Sequence, residues 1–225
     1  MTFRQSGFTL VEIAIVLVMI GLLLGGILKG QEMIVQARTK NVIADFSGVS
    51  AAYHGYMDRY RAIPGDDPGA GRWTNGLAGN NNGQLGGAYN DPLCPAANTT
   101  PAAGTAESCL FWHHLRIAGF VAGTGAAQPR NAVLGMVGVQ TGNGAGGPAM
   151  GDFTTLVMCS ANLPDKIAIG VDSQMDDGVI GTGSVRGQVH AAPNPAGLNP
   201  NIIAGPDPTP YQENGSNLYT LCRAI

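Results

Sequence analysis

Residues Phe8 to Leu28 form an apolar run of 21 residues broken by a single charged side chain, Glu12. In a helix rising about 1.5 Å per residue, that run covers roughly 30 Å, the hydrocarbon thickness of a bilayer. A secretory signal has a shorter apolar core followed by a small-residue cleavage site, and no A-x-A site follows Leu28. The run therefore reads as a retained membrane helix. Arg4 stands before it and few strong charges come just after it, which favours a cytoplasmic N-terminus and export of the chain beyond Leu28. Glu12 is the anomaly, because a carboxylate deep in a membrane segment costs about 2.5–3.5 kcal/mol on insertion scales.

Beyond the run, apolar or aromatic residues recur at alternating spacings of three and four: Val35, Thr39, Val42, Phe46, Val49, Tyr53, Tyr56 and Tyr60. This is a helical stripe, with Lys40, Ser47, Asp58 and Arg61 largely off it, so one side can bury against a head. Pro64 and Gly65 supply the stop. One helix from Phe8 to Ala62 would be on the order of 80 Å long. The 225 residues leave room for one globular head of ordinary size after such a stem. A formal charge of −3 gives no basic footprint, so no nucleic-acid partner is expected.

The head holds most of the Gly, Pro and Asn, and all four cysteines. No CxxC spacing occurs, which disfavours a zinc cluster, and an even number beyond a membrane segment fits disulfides in an oxidising compartment. Four cysteines allow three pairings. Cys94 with Cys109 and Cys159 with Cys222 are favoured as closing smaller loops, the other two pairings staying open. Gly65 to Glu107 is rich in turn residues and reads as a long surface loop pinned in part by Cys94. Ser108 to Ala118 reads as a short amphipathic helix with Leu110, Phe111, Leu115 and Ala118 near one face, stopped by Gly119. Ala132–Gln140, Phe153–Cys159 and Leu218–Cys222 are strand candidates, with a glycine turn at residues 142–147 and a helix over Pro164–Met175. The expected fold is α+β: a long N-terminal helical stem packed on an antiparallel sheet head.

Gly7-Phe8-Thr9-Leu10-Val11-Glu12 followed by an uninterrupted apolar helix resembles the processing signature of type IV pilins and type II secretion pseudopilins. The resemblance implies a pilin-like fold and a leader at residues 1–7 cut between Gly7 and Phe8 by a prepilin peptidase. It also implies N-methylation of Phe8, and a role for Glu12 in subunit registration. Residues 8–28 would then form the transmembrane and filament-core helix, 29–62 its amphipathic continuation, and 63–225 the head. Within the head, 63–131 would be a variable loop region with a short helix, and 132–225 the sheet and the disulfide-bounded C-terminal region. Cleavage would create an amine at Phe8 one helical turn before Glu12, giving the carboxylate a partner in its own or an adjacent subunit. Many pilins of the family carry a proline in mid-helix, about where Lys29 stands; this chain has Gly25, Gly26 and Gly30 around that point instead. Ile63-Pro64-Gly65-Asp66, Trp112-His113-His114-Leu115 and the segment from Val171-Asp172 to Asp176-Asp177-Gly178 also resemble large bacterial prepilin-like proteins. The implied partners are further copies of the chain, the processing peptidase and methyltransferase, and an inner-membrane assembly platform. The implied location is the inner membrane as a single-pass precursor, then an extracellular or periplasmic filament.

Catalytic motifs are missing: the sequence has no GxSxG, HExxH or P-loop, and no enzyme activity is expected. Gly142–Gly147 spells GxGxxG, but Pro148 and Gly151 follow where a phosphate site needs a helix. His113 and His114, adjacent on a helix, face different ways and read as packing or surface residues. Asp172, Asp176 and Asp177 offer oxygen ligands suited to Ca²⁺, set against a reading in which they cap their own turn and Gly178 ends the helix; no other cofactor is expected. An adhesive alternative places Trp73 and Tyr89 of the long loop against glycans or surfaces.

Overall fold

The structure is a computed structural model, and it describes residues 9–144, 147–148, 150, 153–190 and 210–225. The chain divides into two compact units, Met1–Ala37 and Arg38–Ile225.

Helix α1 runs from Leu10 to Tyr60. In the first unit it is exposed almost throughout, with Leu10 through Leu28 open on every face. Gly25, Gly26 and Gly30 lie inside the helix without interrupting it, and a Cβ added at any of them would meet nothing within 4 Å. In the second unit the stripe sinks into the core: Thr39, Val42, Phe46, Val49, Tyr53 and Tyr56 are buried, together with Ala52. Val35 and Tyr60, at the ends of the stripe, are half-buried. The helix stops two residues before the expected Ala62. Arg61 adopts φ 55 and donates its N–H to the Met57 carbonyl at 2.9 Å, closing α1 with a left-handed cap before Pro64 is reached.

Among the described residues the head comprises α2 (Glu107–Ile117), β1 (Val137–Thr141), β2 (Asn143–Gly144), β3 (Gly147–Pro148), β4 (Leu156–Pro164), α3 (Asp165–Met175), β5 (Val185–His190) and β6 (Leu218–Ala224). Four strands form an antiparallel sheet in the order β1-β4-β6-β5, and β2 and β3 make a separate two-residue ladder. Tyr89, Phe153, Val157, Ala161 and Met150 cluster around the two buried cysteines Cys159 and Cys222.

Several local expectations are corrected. The first strand starts at Val137, not Ala132, because Asn131 folds the preceding residues into a loop. Its Oδ1 accepts the N–H groups of Val133 and Gly135, and Leu134 takes φ 63. The second strand begins at Leu156 and continues to Pro164, so Pro164 ends β4 and serves as the residue before α3. Strand β5 was not expected at all: it carries a glycine in mid-strand, where a side chain would collide with Leu221 and Ile180, 2.8 and 2.9 Å from the would-be Cβ.

Helix α2 is not amphipathic in place. Every residue from Glu107 to Leu115 is buried. One face meets α1, where Phe111 stacks on Tyr53 and His114 on Tyr56 with ring centroids 6.4 and 6.3 Å apart. The segment after Pro64 covers another face, and β1 lies against the helix as well. Gly119 at φ +82 ends the turn that follows it.

Candidate functional site

Gly7 and Phe8 lie outside the described residues. Glu12 stands in the first turn of α1. Its Oε2 accepts both the backbone N–H and the hydroxyl of Thr9, each at 2.8 Å, and Thr9 Oγ1 in turn receives the Glu12 N–H at 3.3 Å. This reciprocal pair is a capping box of the T-x-x-E type, which satisfies two donors at the helix start that would otherwise be orphaned. The spacing was visible in the sequence. Glu12 therefore has a local partner before any other chain is considered. At the far end of the apolar run, Lys29 and Glu32 pair at 2.7 Å on the exposed surface, a contact worth little in water.

The long segment after Pro64 lies largely at the surface, as expected, and is anchored from within by more than Cys94. Asp67 is buried; its Oδ2 accepts the Tyr56 hydroxyl at 2.6 Å and Arg72 Nη1 at 2.8 Å, and its Oδ1 accepts the Gly69 N–H at 2.7 Å. Burial alone would raise the Asp67 pKa, but these hydrogen bonds and the Arg72 charge outweigh it and hold the carboxyl below its ordinary value. Burial and the adjacent carboxylate push the Tyr56 hydroxyl far up, so it stays a donor. Asp66 accepts the N–H groups of Asn82 and Gly83, and Glu107 those of Asn80 and Gly86. Buried carboxylates thus tie down a segment with little secondary structure of its own, meeting the rule that buried polar groups find partners.

The two histidines are packing residues with a precise division of labour. His114 Nδ1 accepts the Gly65 N–H at 2.8 Å, so its other nitrogen carries the proton and donates to the Leu77 carbonyl at 2.7 Å. Burial lowers its pKa to about 4. His113 Nε2 meets the Asn75 carbonyl at 2.9 Å, and its buried Nδ1 has no partner among the described residues.

Asp172, Asp176 and Asp177 come together, with one ligand oxygen from each within 4.8 Å of the others. Each also has a task at the end of α3. Asp172 accepts the Tyr211 hydroxyl at 2.6 Å, Asp176 accepts the N–H groups of Ser184 and Val185, and Asp177 accepts the Val179 N–H and the Thr182 hydroxyl. Gly178 follows at φ +76. Burial raises the Asp172 pKa, with the neighbouring carboxylates adding to it and the Tyr211 bond opposing.

Cys94 is bonded to Cys109 and Cys159 to Cys222, the second pair being directly opposite residues of β4 and β6. The adhesive reading is corrected for Tyr89, while Trp73 stays half-buried. Tyr89 is fully buried, and Trp73 is wedged against Tyr56 and Tyr60 with the Arg72 guanidinium 4.7 Å from its ring. The Gly142–Gly147 motif contributes to the β2–β3 ladder and not to a helix N-terminus; residues 145–146 lie outside the described set.

A helix long and apolar enough to cross a membrane, continuing into a head built around an antiparallel sheet, makes this a pilin-like α+β protein. Residues 2–28 match the family described as the prokaryotic N-terminal methylation motif, the signature of type IV pilins and pseudopilins. No curated protein and no solved structure matches the chain. The signature and the apolar helix fit membrane insertion of a precursor.

Proposed function

We propose that the chain is a structural subunit which, after a cut between Gly7 and Phe8 and N-methylation of Phe8, polymerises into a type IV pilus or related extracellular filament. The observation that carries this reading is the methylation motif over residues 2–28, set on a helix whose residues 10–28 are apolar and unburied on all sides. An exposed apolar helix needs either lipid or other copies of itself, and the two environments succeed one another as a membrane precursor enters a filament. Cleavage is the switch in this scheme: it supplies the Phe8 amine that can offset the Glu12 charge when the helix leaves the cut leader behind.

The test is mass spectrometry of filaments sheared from cells, alongside imaging of a deletion strain. The expected result is N-methyl-Phe8 as the mature terminus in abundant fibres that the deletion strain lacks. A mature N-methyl-Phe8 form that stays in the envelope would assign the chain to a pseudopilus instead. Intact Met1 on an envelope-bound monomer would overturn the proposal.

A further inference from the structure

A groove of about 280 Å³ lies in the head where residues 44–49 of α1 meet residues 120–121 and the residues leading into β1. A water needs only about 10–15 Å³ of such space, so the groove has room for a branched side chain. Its lining is mainly apolar and includes the buried Val49, Trp112 and Val137 and the half-buried Phe120. The charged residues on it are Asp45 and Arg130. Asp45 is half-buried and has no ion-pair partner among the described residues, and burial raises its pKa. A carboxylate partly withdrawn from water is unfavourable until a cation answers it. The groove therefore calls for an apolar group with a positive charge beside it.

The chain itself carries such a group. Leu134 is 75 % exposed and holds φ 63, a left-handed conformation that a branched side chain keeps only where its surroundings impose it. Those surroundings are firm. Buried Asn131 accepts the N–H groups of Val133 and Gly135 and donates to the Ser160 hydroxyl and the Ala161 carbonyl, both at 2.8 Å. Asn162 donates to the Val133 carbonyl at 3.1 Å. The loop is thus formed in advance and holds an apolar side chain out to solvent. Arg130 Nη1 donates to the Leu134 carbonyl at 3.2 Å, so an exposed guanidinium without an ion pair among the described residues stands at the base of this knob. The other exposed large apolar residues described in the head fit less well. The Leu93 and Val179 N–H groups are held by Asp91 and Asp177, whose charge would oppose Asp45, and Val189 lies between Gln188 and His190.

We propose that the groove receives the Leu134 side chain of a second copy of this chain, whose Arg130 pairs with Asp45 across the contact. Arg130 borders the groove and also holds the loop, so both halves of the contact lie on neighbouring parts of one surface. A loop fixed before contact loses little freedom on docking, and the opposite charges set its register. The contact lies wholly within the head and needs no cut after Gly7, so it stands or falls apart from the filament proposed above.

The test is cross-linking between full-length chains in detergent micelles. One chain carries Ala44→Cys, at an exposed position on the groove, and the other Ala132→Cys, at an exposed position on the loop. The native cysteines are held in disulfides, so a short bismaleimide joins only the two introduced thiols, and their placement on separate chains rules out a link within one molecule. The 44–132 link is expected at least tenfold above a random-collision control with Gln84→Cys, an exposed position away from the loop. Leu134→Gly on the loop chain removes the knob, suits the left-handed backbone and keeps the fold, and is expected to cut the yield at least tenfold. Asp45→Arg on the groove chain or Arg130→Asp on the loop chain does the same, and the two together restore it, which a merely structural role would not do. A yield no higher than the control would leave the groove to some other partner and overturn the proposal. So would a yield unchanged by Leu134→Gly, or a charge exchange that restores nothing.

Discussion

The Tyr56 hydroxyl donates to Asp67 Oδ2 at 2.6 Å, joining the last turns of α1 to the first residues after Pro64 in the buried interior of the head. Hydrogen bonds to charged groups contribute about 1.5–3 kcal/mol, and leaving a buried partner unsatisfied costs on that scale. Tyr56→Phe keeps the ring against His114 and Trp73 but removes the donor. Arg72 still answers Asp67, so the expected loss is about 2 kcal/mol in denaturant unfolding of the detergent-solubilised chain. A loss below about 0.5 kcal/mol would show that the contact does not hold the segment in place.

His114 sets a pH dependence. Its pKa falls from an ordinary 6.5 to about 4 in the fold because burial opposes the charged form, and its Nδ1 must stay unprotonated to accept from Gly65. Between those values the unfolded chain binds a proton that the folded chain does not. Stability is therefore fully present above about pH 6.5 and declines as the pH drops toward 4, by up to about 3 kcal/mol. Asp67, also held below its ordinary pKa, gives up its contribution only at lower pH. His114→Gln, which keeps one acceptor and one donor, is expected to flatten the slope between pH 6.5 and 4. An unchanged slope would place the acid sensitivity elsewhere.

What the sequence revealed depended on how local the physics was. The stripe from Thr39 to Tyr56 was legible because burial on one helix face imposes a spacing of three and four, and the structure buries those positions. Gly119 was legible as a stop for the same local reason. Asp66, Asp67 and Glu107 were not, because each answers groups that only the fold brings near: Glu107 holds the N–H of Asn80, 27 residues earlier. Nothing in a turn-rich composition distinguishes a loop pinned by buried carboxylates from a loose one. Strand β5 alternates only over Val185–Gln188, around the buried Gly187, before Val189 is left exposed and His190 buried, so no clean period marked it. The Thr9–Glu12 capping box was in plain view and was masked by the stronger membrane signal around it.

The two disulfides close loops of different length, with sequence separations of 15 and 63 residues. On the chain-entropy account they constrain the unfolded state by about 3 and 4 kcal/mol respectively. The paired replacement Cys159→Ala with Cys222→Ala also leaves space beside Val157 and Ala161 in the core. It is expected to cost more than Cys94→Ala with Cys109→Ala, as measured by thermal unfolding. Peptide mapping under non-reducing conditions checks the pairing itself, and any fragment joining Cys94 to Cys159 or Cys222 would contradict it.

The acids at the end of α3 invite a calcium titration. Asp176 and Asp177 already receive N–H and O–H donors, and burial tilts Asp172 toward the neutral acid, which needs no cation. The expected outcome is a melting temperature that is the same in chelator and in millimolar Ca²⁺. A rise of several degrees with Ca²⁺, lost in Asp172→Asn, would instead assign the cluster to a bound cation.

Glu12 has two separable duties, and one substitution divides them. Gln serves at the third position of a capping box as well as Glu does, so Glu12→Gln preserves the start of α1 through Thr9 while removing the charge. If the carboxylate acts only on its own helix, the variant should assemble like the unaltered chain. If it answers the Phe8 amine of its own or a neighbouring subunit, Glu12→Gln is expected to enter the membrane at least as readily, since a neutral amide is cheaper there than a carboxylate. It should still be cut after Gly7, yet yield at least tenfold fewer sheared fibres. Thr9→Val, which removes the hydroxyl of the box but leaves the charge, is the complementary variant, expected to retain fibres at a modest cost in helix stability of about 1 kcal/mol. Normal fibre yield from Glu12→Gln would remove the charge from the assembly scheme and leave Glu12 as a helix cap.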